Sequence, residues 1–434
     1  MTPLDFLFSL ERLGMKFGLE SMQTICAALG HPERSFRSVI VAGTNGKGSV
    51  TAMTSAGLHA AGFTSARYTS PHLERLEERF TIGERDVDSA ALEAAAATVQ
   101  EAVERLVRDG ALEGLPTFFE CSTAIAFELF RRASVEIAAI EVGLGGRLDA
   151  TNVITPMAAA ITSIDFDHQE LLGGTLREIA REKAGIIKPG IPVVAGPMAA
   201  EADAVIQQVC AERGATYVRA LDRVRVSNAE VGGRTRVSLR SDSTHLEDVT
   251  LALPGRHQIH NAAVAVCLME ELGVPAAAIE VGLTDARWPA RLERVDWCGA
   301  ELLLDAAHNP AGARALADYL RERGWTRVTL VFGAMRDKDI AGILEPLAPF
   351  VSTIVCTTPP NPRALPAESL AALAAALPSM TARVTAVPDP RDALRDACRA
   401  GGCVVVAGSI FLIGSLRGIL QRGSRGSDGS RRSK

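Results

Sequence analysis

The chain has no C-x-x-C pair, no apolar run long enough to cross a bilayer and no excess of basic charge. Each absence excludes a class of protein. Its eight cysteines (Cys26, Cys121, Cys210, Cys267, Cys298, Cys356, Cys398, Cys403) are scattered without paired spacing, which argues against a disulfide or zinc framework and for reduced, mostly buried thiols in the cytoplasm. A net charge of -5 gives no broad electrostatic case for a nucleic-acid partner. Residues 1–30 start apolar but carry Asp5, Glu11, Arg12 and Lys16 and lack the order of a signal peptide, so a cytosolic protein with no membrane partner is expected.

What is present is an apolar content of 47% with 22% charged residues, the mix of a soluble globular protein. At 434 residues the chain is too long for one ordinary core and suggests two or three domains. The stretch Val41-Ala42-Gly43-Thr44-Asn45-Gly46-Lys47-Gly48-Ser49-Val50 organises it. A β-branched run precedes the stretch and small and apolar residues at helical spacing follow, so a buried strand, a glycine loop and a helix start are expected. Glycines let backbone N–H groups turn inward, the helix N-terminus adds partial positive charge and Lys47 adds a full one, which suits a polyphosphate. The loop departs from a Walker A motif: Val41 stands where its first glycine belongs, and Gly48 displaces the hydroxyl to Ser49.

Further strands are expected at 137–140, 158–164, 302–304, 328–332, 354–356 and 404–407, and helices at 87–110, 124–130 and 175–183. Alternation at Val224/Val226, Val237/Leu239 and Val249/Leu251/Leu253 predicts antiparallel hairpins appended to the parallel sheet. Glu141 closes a buried strand beside the glycine turn 142–146, a position suited to a divalent ion as well as to a solvated acid, and the ion is preferred because nucleotide phosphates need neutralising. Thr117 can cap a helix while Phe118 and Phe119 pack. Taken alone, His168 is a loop histidine, Lys183 a surface charge and Asn261 a helix-start residue.

Together these segments resemble a known family. G-T-N-G-K-G-S is similar to the ATP loop of the Mur ligase superfamily, and more narrowly of its dihydrofolate synthase/folylpolyglutamate synthase branch. So are Phe17-Gly18-Leu19-Glu20, the T-S-P-H-L loop at 69–73, T-F-F-E at 117–120, E-V-G-L-G-G-R-L-D-A-T-N at 141–152, the D-H-x-x-x-L-G pattern from Asp167, R-E-K-A-G at 181–185, G-x-H-Q-x-x-N-A-A from Gly255, W-P-A-R-L-E at 288–293 and D-A-A-H-N-P at 305–310. The likeness runs from Phe17 to Ser409. It implies an α/β protein: a Mur-ligase-like ATP-binding domain at 1–286 with a parallel sheet and a small antiparallel extension, then a Rossmann-like glutamate ligase domain at 287–420. The Gly/Ser/Arg-rich stretch 421–434 reads as a disordered tail.

The resemblance also implies roles. Thr44, Asn45, Gly46, Lys47, Gly48, Ser49, Asn261, Arg291 and Asp305 would bind ATP. Ser70, Glu141, His168 and an N6-carboxylated Lys183 would hold two Mg²⁺ ions. Phe17, Gly18, Leu19, Glu20, Thr117, Phe118, Phe119, Glu120, Leu148, Asp149 and Ala150 would line the pterin or folate site, while His308 and Ser409 would meet glutamate. Lys47, Lys183 and His308 are the catalytic candidates. Two departures stand out: Glu77 replaces an asparagine, and Ala306 replaces a glycine, which would shift the His308 loop if that position needs a positive φ. The implied reaction is ATP-dependent addition of L-glutamate to dihydropteroate and to folates through an acyl phosphate, by a monomer. A monofunctional folylpolyglutamate synthase, another Mur-type amino-acid ligase and an ATP-binding module without turnover are the alternatives.

Overall fold

Val39 and Val41 face one way from the strand Arg37–Ala42 and Ile40 and Ala42 the other, and all four are fully buried, so this strand is sandwiched between two apolar layers. The computed structural model describes residues 1–14, 18–231, 233–399 and 401–427 and builds an eight-stranded sheet around that strand. The strands are β1 (Arg37–Ala42), β2 (Ser65–Tyr68), β3 (Phe80–Ile82), β4 (Arg85–Asp86), β5 (Ile137–Glu141), β6 (Ala158–Ile161), β7 (Pro192–Ala195) and β8 (Thr216–Arg219). Their order is β4-β3-β2-β5-β1-β6-β7-β8, parallel except where β3 and β4 fold back at one edge.

Helices cover both faces. On the Ile40 side lie Pro3–Ser9, Glu20–Ala28, Ser89–Arg108, Phe118–Arg132, Leu176–Ala184 and Ala200–Glu212; on the Val39 side lie Lys47–Ala60, Arg256–Glu271 and Ala276–Asp285. The predicted hairpins form as β9 (Arg225–Val231), β10 (Thr235–Arg240) and β11 (His245–Leu251), but they do not extend the large sheet. They make a separate three-stranded sheet, because Val237, Leu239, Val249 and Leu251 all turn inward to join the layer around helix Arg256–Glu271.

A second α/β unit follows: β12 (Glu293–Trp297), β13 (Ala300–Leu304), β14 (Val328–Phe332), β15 (Val351–Cys356), β16 (Arg383–Ala386) and β17 (Cys403–Ala407), ordered β12-β13-β17-β14-β15-β16 with only β12 antiparallel. Leu303, Leu330, Phe332 and Val405 pack on one face and Leu302, Val331, Val404 and Val406 on the other. The final helix, Ile410–Ser427, continues into the stretch expected to be a disordered tail. Residues 428–434 lie outside the described residues, as does Phe17.

The two units meet closely where Gly414 of the final helix faces the loop after β2: a Cβ there would stand 1.9 Å from the Leu73 carbonyl oxygen. Gly414→Ala is therefore expected to lower stability by about 1–3 kcal/mol, the range for overpacking a tight contact. Chemical denaturation compared with wild type measures this, and an unchanged curve would show that the contact is not tight in solution.

Candidate active site

Parallel strands in one sheet send their following loops to one edge, and the point where chain order reverses leaves a crevice there. Here β1 is flanked by β5 and β6, so the loops after β1, β5, β6 and β2 all open at that edge. Those loops carry Lys47, Glu141, Asp167, His168 and Ser70. Facing them are the loops after β13, β17 and β14, which carry His308, Ser409 and Lys338.

The loop after β1 turns at Gly43 (φ 149°) and Gly46 (φ 86°), the second of which caps helix Lys47–Ala60 in a left-handed conformation. Gly46 also has no room for a side chain, because a Cβ would lie 2.4 Å from Asn261 Oδ1. Asn261 donates to Gln258 Oε1 at 2.9 Å, and Gln258 donates to Ser49 Oγ at 3.2 Å, so the G-x-H-Q-x-x-N segment supports the loop from its helix side. Thr44 exchanges hydrogen bonds with the Asp165 backbone, and Asn45 is held through its own backbone by Thr162 and Ser163.

Lys47 Nζ donates to the carbonyls of Gly43 (3.1 Å) and Thr44 (3.2 Å), and Lys183 Nζ reaches the same Gly43 oxygen at 3.0 Å. Lys183 is buried rather than on the surface. Burial first, and Lys47 second, pull its pKa from 10.5 to about 7. Glu141 is also buried, accepts a hydrogen bond from the Ser70 amide at 3.1 Å and makes no ion pair within 4 Å among the described residues. Burial raises its pKa, opposed by Lys47, the Ser70 amide, Arg291 and Arg67. A buried carboxylate beside a serine offers the hard oxygen donors that Mg²⁺ takes, so Ser70 and Glu141 fit one ion. His168 and unmodified Lys183 do not yet fit a second: the amine donates to Gly43, and His168 Nε2 lies 3.4 Å from the Lys338 ammonium.

Asp167 joins the two units. It accepts from Asn309 Nδ2 at 3.0 Å and from Lys338 Nζ at 2.6 Å, with His308 Nε2 at 3.5 Å. Against the opposing cost of burial, His308, His168 and Lys338 hold its carboxyl far below the usual range. Asn45 and Asn309 pair through both amides, and Arg314 reaches Asp165 at 2.8 Å. Asp167 and Asn309 lie inside the D-H-x-x-x-L-G and D-A-A-H-N-P motifs but carry no expected role there, and nothing local marks Lys338 as the partner of Asp167.

Arg291 sits between Ala290 (φ 59°) and Leu292 (φ 48°), both left-handed, a strained linker of the kind found at functional sites. Asp305 holds that linker, accepting from Leu292 N and Ala307 N at 2.9 Å each. Ala306 has no positive φ and donates its N–H to Ala290 at 3.0 Å, so the missing glycine imposes no shift on His308, whose Nδ1 meets the Ala306 carbonyl at 2.8 Å. Gly408 N bonds Ala307 O, bringing Ser409 beside that loop, where its hydroxyl accepts from Phe411 N.

Thr117 and Glu120, expected to line the pterin site, satisfy each other as a capping box for helix Phe118–Arg132. Phe118 lies under Arg79 (5.0 Å), and Phe119 lies 6.1 Å from Tyr68 and closes over Gly143. Both rings are half-buried. Asp149 is buried and ties Leu144 and Thr151 together, with Leu148 half-buried and Ala150 buried beside it. Helix Glu20–Ala28 touches 150–153, so Gly18, Leu19 and Glu20 lead into the same region.

Two family models match the chain: the Mur ligase middle domain over residues 113–269 and the Mur ligase glutamate ligase domain over 290–410. The dihydrofolate synthase/folylpolyglutamate synthase of Bacillus subtilis is 34% identical over 94% of this chain and 95% of that protein. The chain belongs to the dihydrofolate synthase/folylpolyglutamate synthase family of Mur ligases. Members solved in complexes superpose closely on it. The Mycobacterium tuberculosis folylpolyglutamate synthase with ADP and AMPPCP has a TM-score of 0.89 at 32% identity, covering 96% of this chain and 99% of that one. E. coli FolC with DHPP and ADP has a TM-score of 0.85 at 29% identity, covering 97% and 98%. The chain spans about half the length of a longer relative, the probable bifunctional folylpolyglutamate synthase/dihydropteroate synthase of Halobacterium salinarum, at 38% identity over 95% of this chain and 51% of that protein.

The Lys183 pKa carries a sign for stability. Its folded value, about 7, lies below the ordinary 10.5, so between these values the unfolded chain binds more protons and stability rises with pH. In bicarbonate-free buffer, wild type should gain stability from pH 7 to 10 relative to Lys183→Met, as read by thermal unfolding. Parallel pH profiles would contradict the burial of a titrating amine.

Proposed function

We propose that this chain is an ATP-dependent ligase that joins L-glutamate to dihydropteroate and to tetrahydrofolate polyglutamates. The observation that carries this reading is the convergence of Lys47, Lys183, Glu141 and Ser70 at the end of one sheet, opposite His308 and Ser409. Likeness to a FolC crystallised with DHPP and ADP supports the choice of substrates.

An unactivated carboxylate needs a better leaving group before an amine can displace it. Lys47 and the loop amides would grip the β- and γ-phosphates of ATP as the γ-phosphoryl group passes to a carboxylate oxygen of the acceptor. Ser70 and Glu141 would hold Mg²⁺, which supplies charge neutralisation at the phosphates. Arg291 would reach across from the linker to the same phosphates, and Asn261 would support the nucleotide from the helix side. The amine of glutamate, oriented beside His308 and Ser409, then attacks the acyl carbon, and phosphate leaves with the carboxylate oxygen.

Lys183 would act as an N6-carboxylate. Burial pulls its pKa down toward the neutral amine, the form that adds CO₂ and loses a proton, and the resulting carbamate would join His168 in a second Mg²⁺ site. Phe119, Phe118, Leu148 and Asp149 would face the pterin, whose flat ring suits half-buried aromatic surface. We divide the chain into an ATP-binding domain at 1–286 and a glutamate ligase domain at 287–420, and we place it in the cytoplasm as a monomer. Thiols free of disulfides among the described residues support that compartment.

Two experiments test the reading. ATP-dependent phosphate release with L-glutamate should occur with dihydropteroate and with tetrahydrofolate; activity with tetrahydrofolate alone would make the enzyme monofunctional, and activity with neither would overturn the assignment. Lys183→Ala should lose nearly all turnover and regain part of it with short-chain carboxylic acids, and ¹³C-bicarbonate should label wild type but not the variant at a carbamate resonance. A fully active variant would remove the carbamate from the mechanism.

A further inference from the structure

Gly48, the residue that breaks the Walker pattern, has its Cβ position filled by another side chain. A Cβ there would stand 2.2 Å from Cζ2 and 2.8 Å from Nε1 of Trp288, which comes from the linker between the two α/β units. Over the same indole lies the guanidinium of Arg67, 5.6 Å from the ring centroid. Arg67 is only 7% exposed and belongs to β2. Its Nη2 bonds Thr81 Oγ1 at 3.2 Å, while Nε and Nη1 are buried without a hydrogen-bond partner among the described residues, and no carboxylate lies within 4 Å. Glu84, Asp86 and Glu141 attract this buried cation from beyond ion-pair distance, and the indole face adds a close contact.

Each participant adjoins a residue assigned above to ATP or to its Mg²⁺. Gly48 directly follows Lys47, Arg67 stands shortly before Ser70 on the same strand and loop, and Trp288 stands shortly before the strained Arg291. A residue larger than glycine at position 48 would push the indole away, and loss of the indole would leave the helix start, the strand end and the linker without their common contact. We propose that Trp288 is a positioning residue for ATP: clamped by Arg67 and seated on Gly48, it fixes Arg291 relative to the Lys47 loop. The proposal rests on the ATP reading of that loop. It assigns Arg67 and Gly48 as the two halves of the seat and leaves glutamate and pterin recognition untouched.

Equilibrium ATP binding by wild type is measured first, and a wild type that binds no ATP would overturn the reading of the loop itself. Given wild-type binding, Trp288→Ala is expected to weaken ATP binding and raise KM for ATP by about tenfold, the loss of roughly one phosphate contact, because Arg291 is no longer held against the Lys47 loop. KM for glutamate should stay near wild type, and Trp288→Phe should restore most of the loss because it keeps an aromatic face. Arg67→Lys should fall between wild type and Trp288→Ala. A variant folded by circular dichroism that keeps wild-type ATP affinity and KM would overturn the proposal, as would equal rises in KM for ATP and glutamate. If Trp288→Ala does not fold, Trp297→Phe/Trp325→Phe leaves Trp288 as the sole tryptophan: a change in its emission on adding ATP upholds the proposal, and an unchanged spectrum overturns it.

Discussion

Two ammonium groups, those of Lys47 and Lys183, donate to a single carbonyl oxygen at Gly43. They cannot lie farther apart than about 6 Å, and at an effective dielectric near 20 their mutual repulsion is roughly 3 kcal/mol. The surrounding architecture relieves this in two ways. Burial moves Lys183 toward its neutral amine, and the inward-turned loop amides and Lys47 leave the cleft suited to an anion. A polyphosphate would satisfy the second demand, and the N6-carboxylation proposed for Lys183 would satisfy the first. Glu141, buried nearby with one hydrogen bond from the Ser70 amide, completes the set of ionisable groups at this end of the sheet.

The same loop sets the relation between the two units. Asn45, within the loop, pairs with Asn309 at the start of helix Pro310–Glu322, while Asp165 and Asp167 from the neighbouring strand end pair with Arg314 and Lys338. These crossing bonds originate within a few residues of the glycine loop and of His168, and Arg256 adds another to Glu322. These bonds tie the glycine loop and the loop carrying His168 to the loops that carry His308 and Lys338.

The strand, glycine loop and helix around Lys47 were legible in the sequence because glycines, a β-branched run and a lysine at helix start each have a local cause. The buried strands β1, β5, β13, β14 and β17 were legible for a similar reason. By contrast β2 escaped notice: Ser65-Ala66-Arg67-Tyr68 is short and carries an arginine, and nothing local announces that this arginine is buried beneath a tryptophan far along the chain. Lys338 and Asp167 are 171 residues apart, so their pairing is a product of topology. The same holds for Gly48, whose departure from the Walker pattern is explained only by the indole of Trp288. The hairpins were recognised from their alternation, but alternation does not say which apolar layer they join, and they formed a sheet of their own.

The ligase mechanism is tested most directly by the fate of an oxygen atom. Dihydropteroate labelled with ¹⁸O in its carboxylate is supplied with ATP, Mg²⁺ and L-glutamate, and the released phosphate is examined by mass spectrometry. If the carboxylate is activated by the γ-phosphoryl group held at Lys47, each phosphate formed with product carries one ¹⁸O from the acceptor. Product formed with unlabelled phosphate would contradict the acyl phosphate and with it the role assigned to the loop.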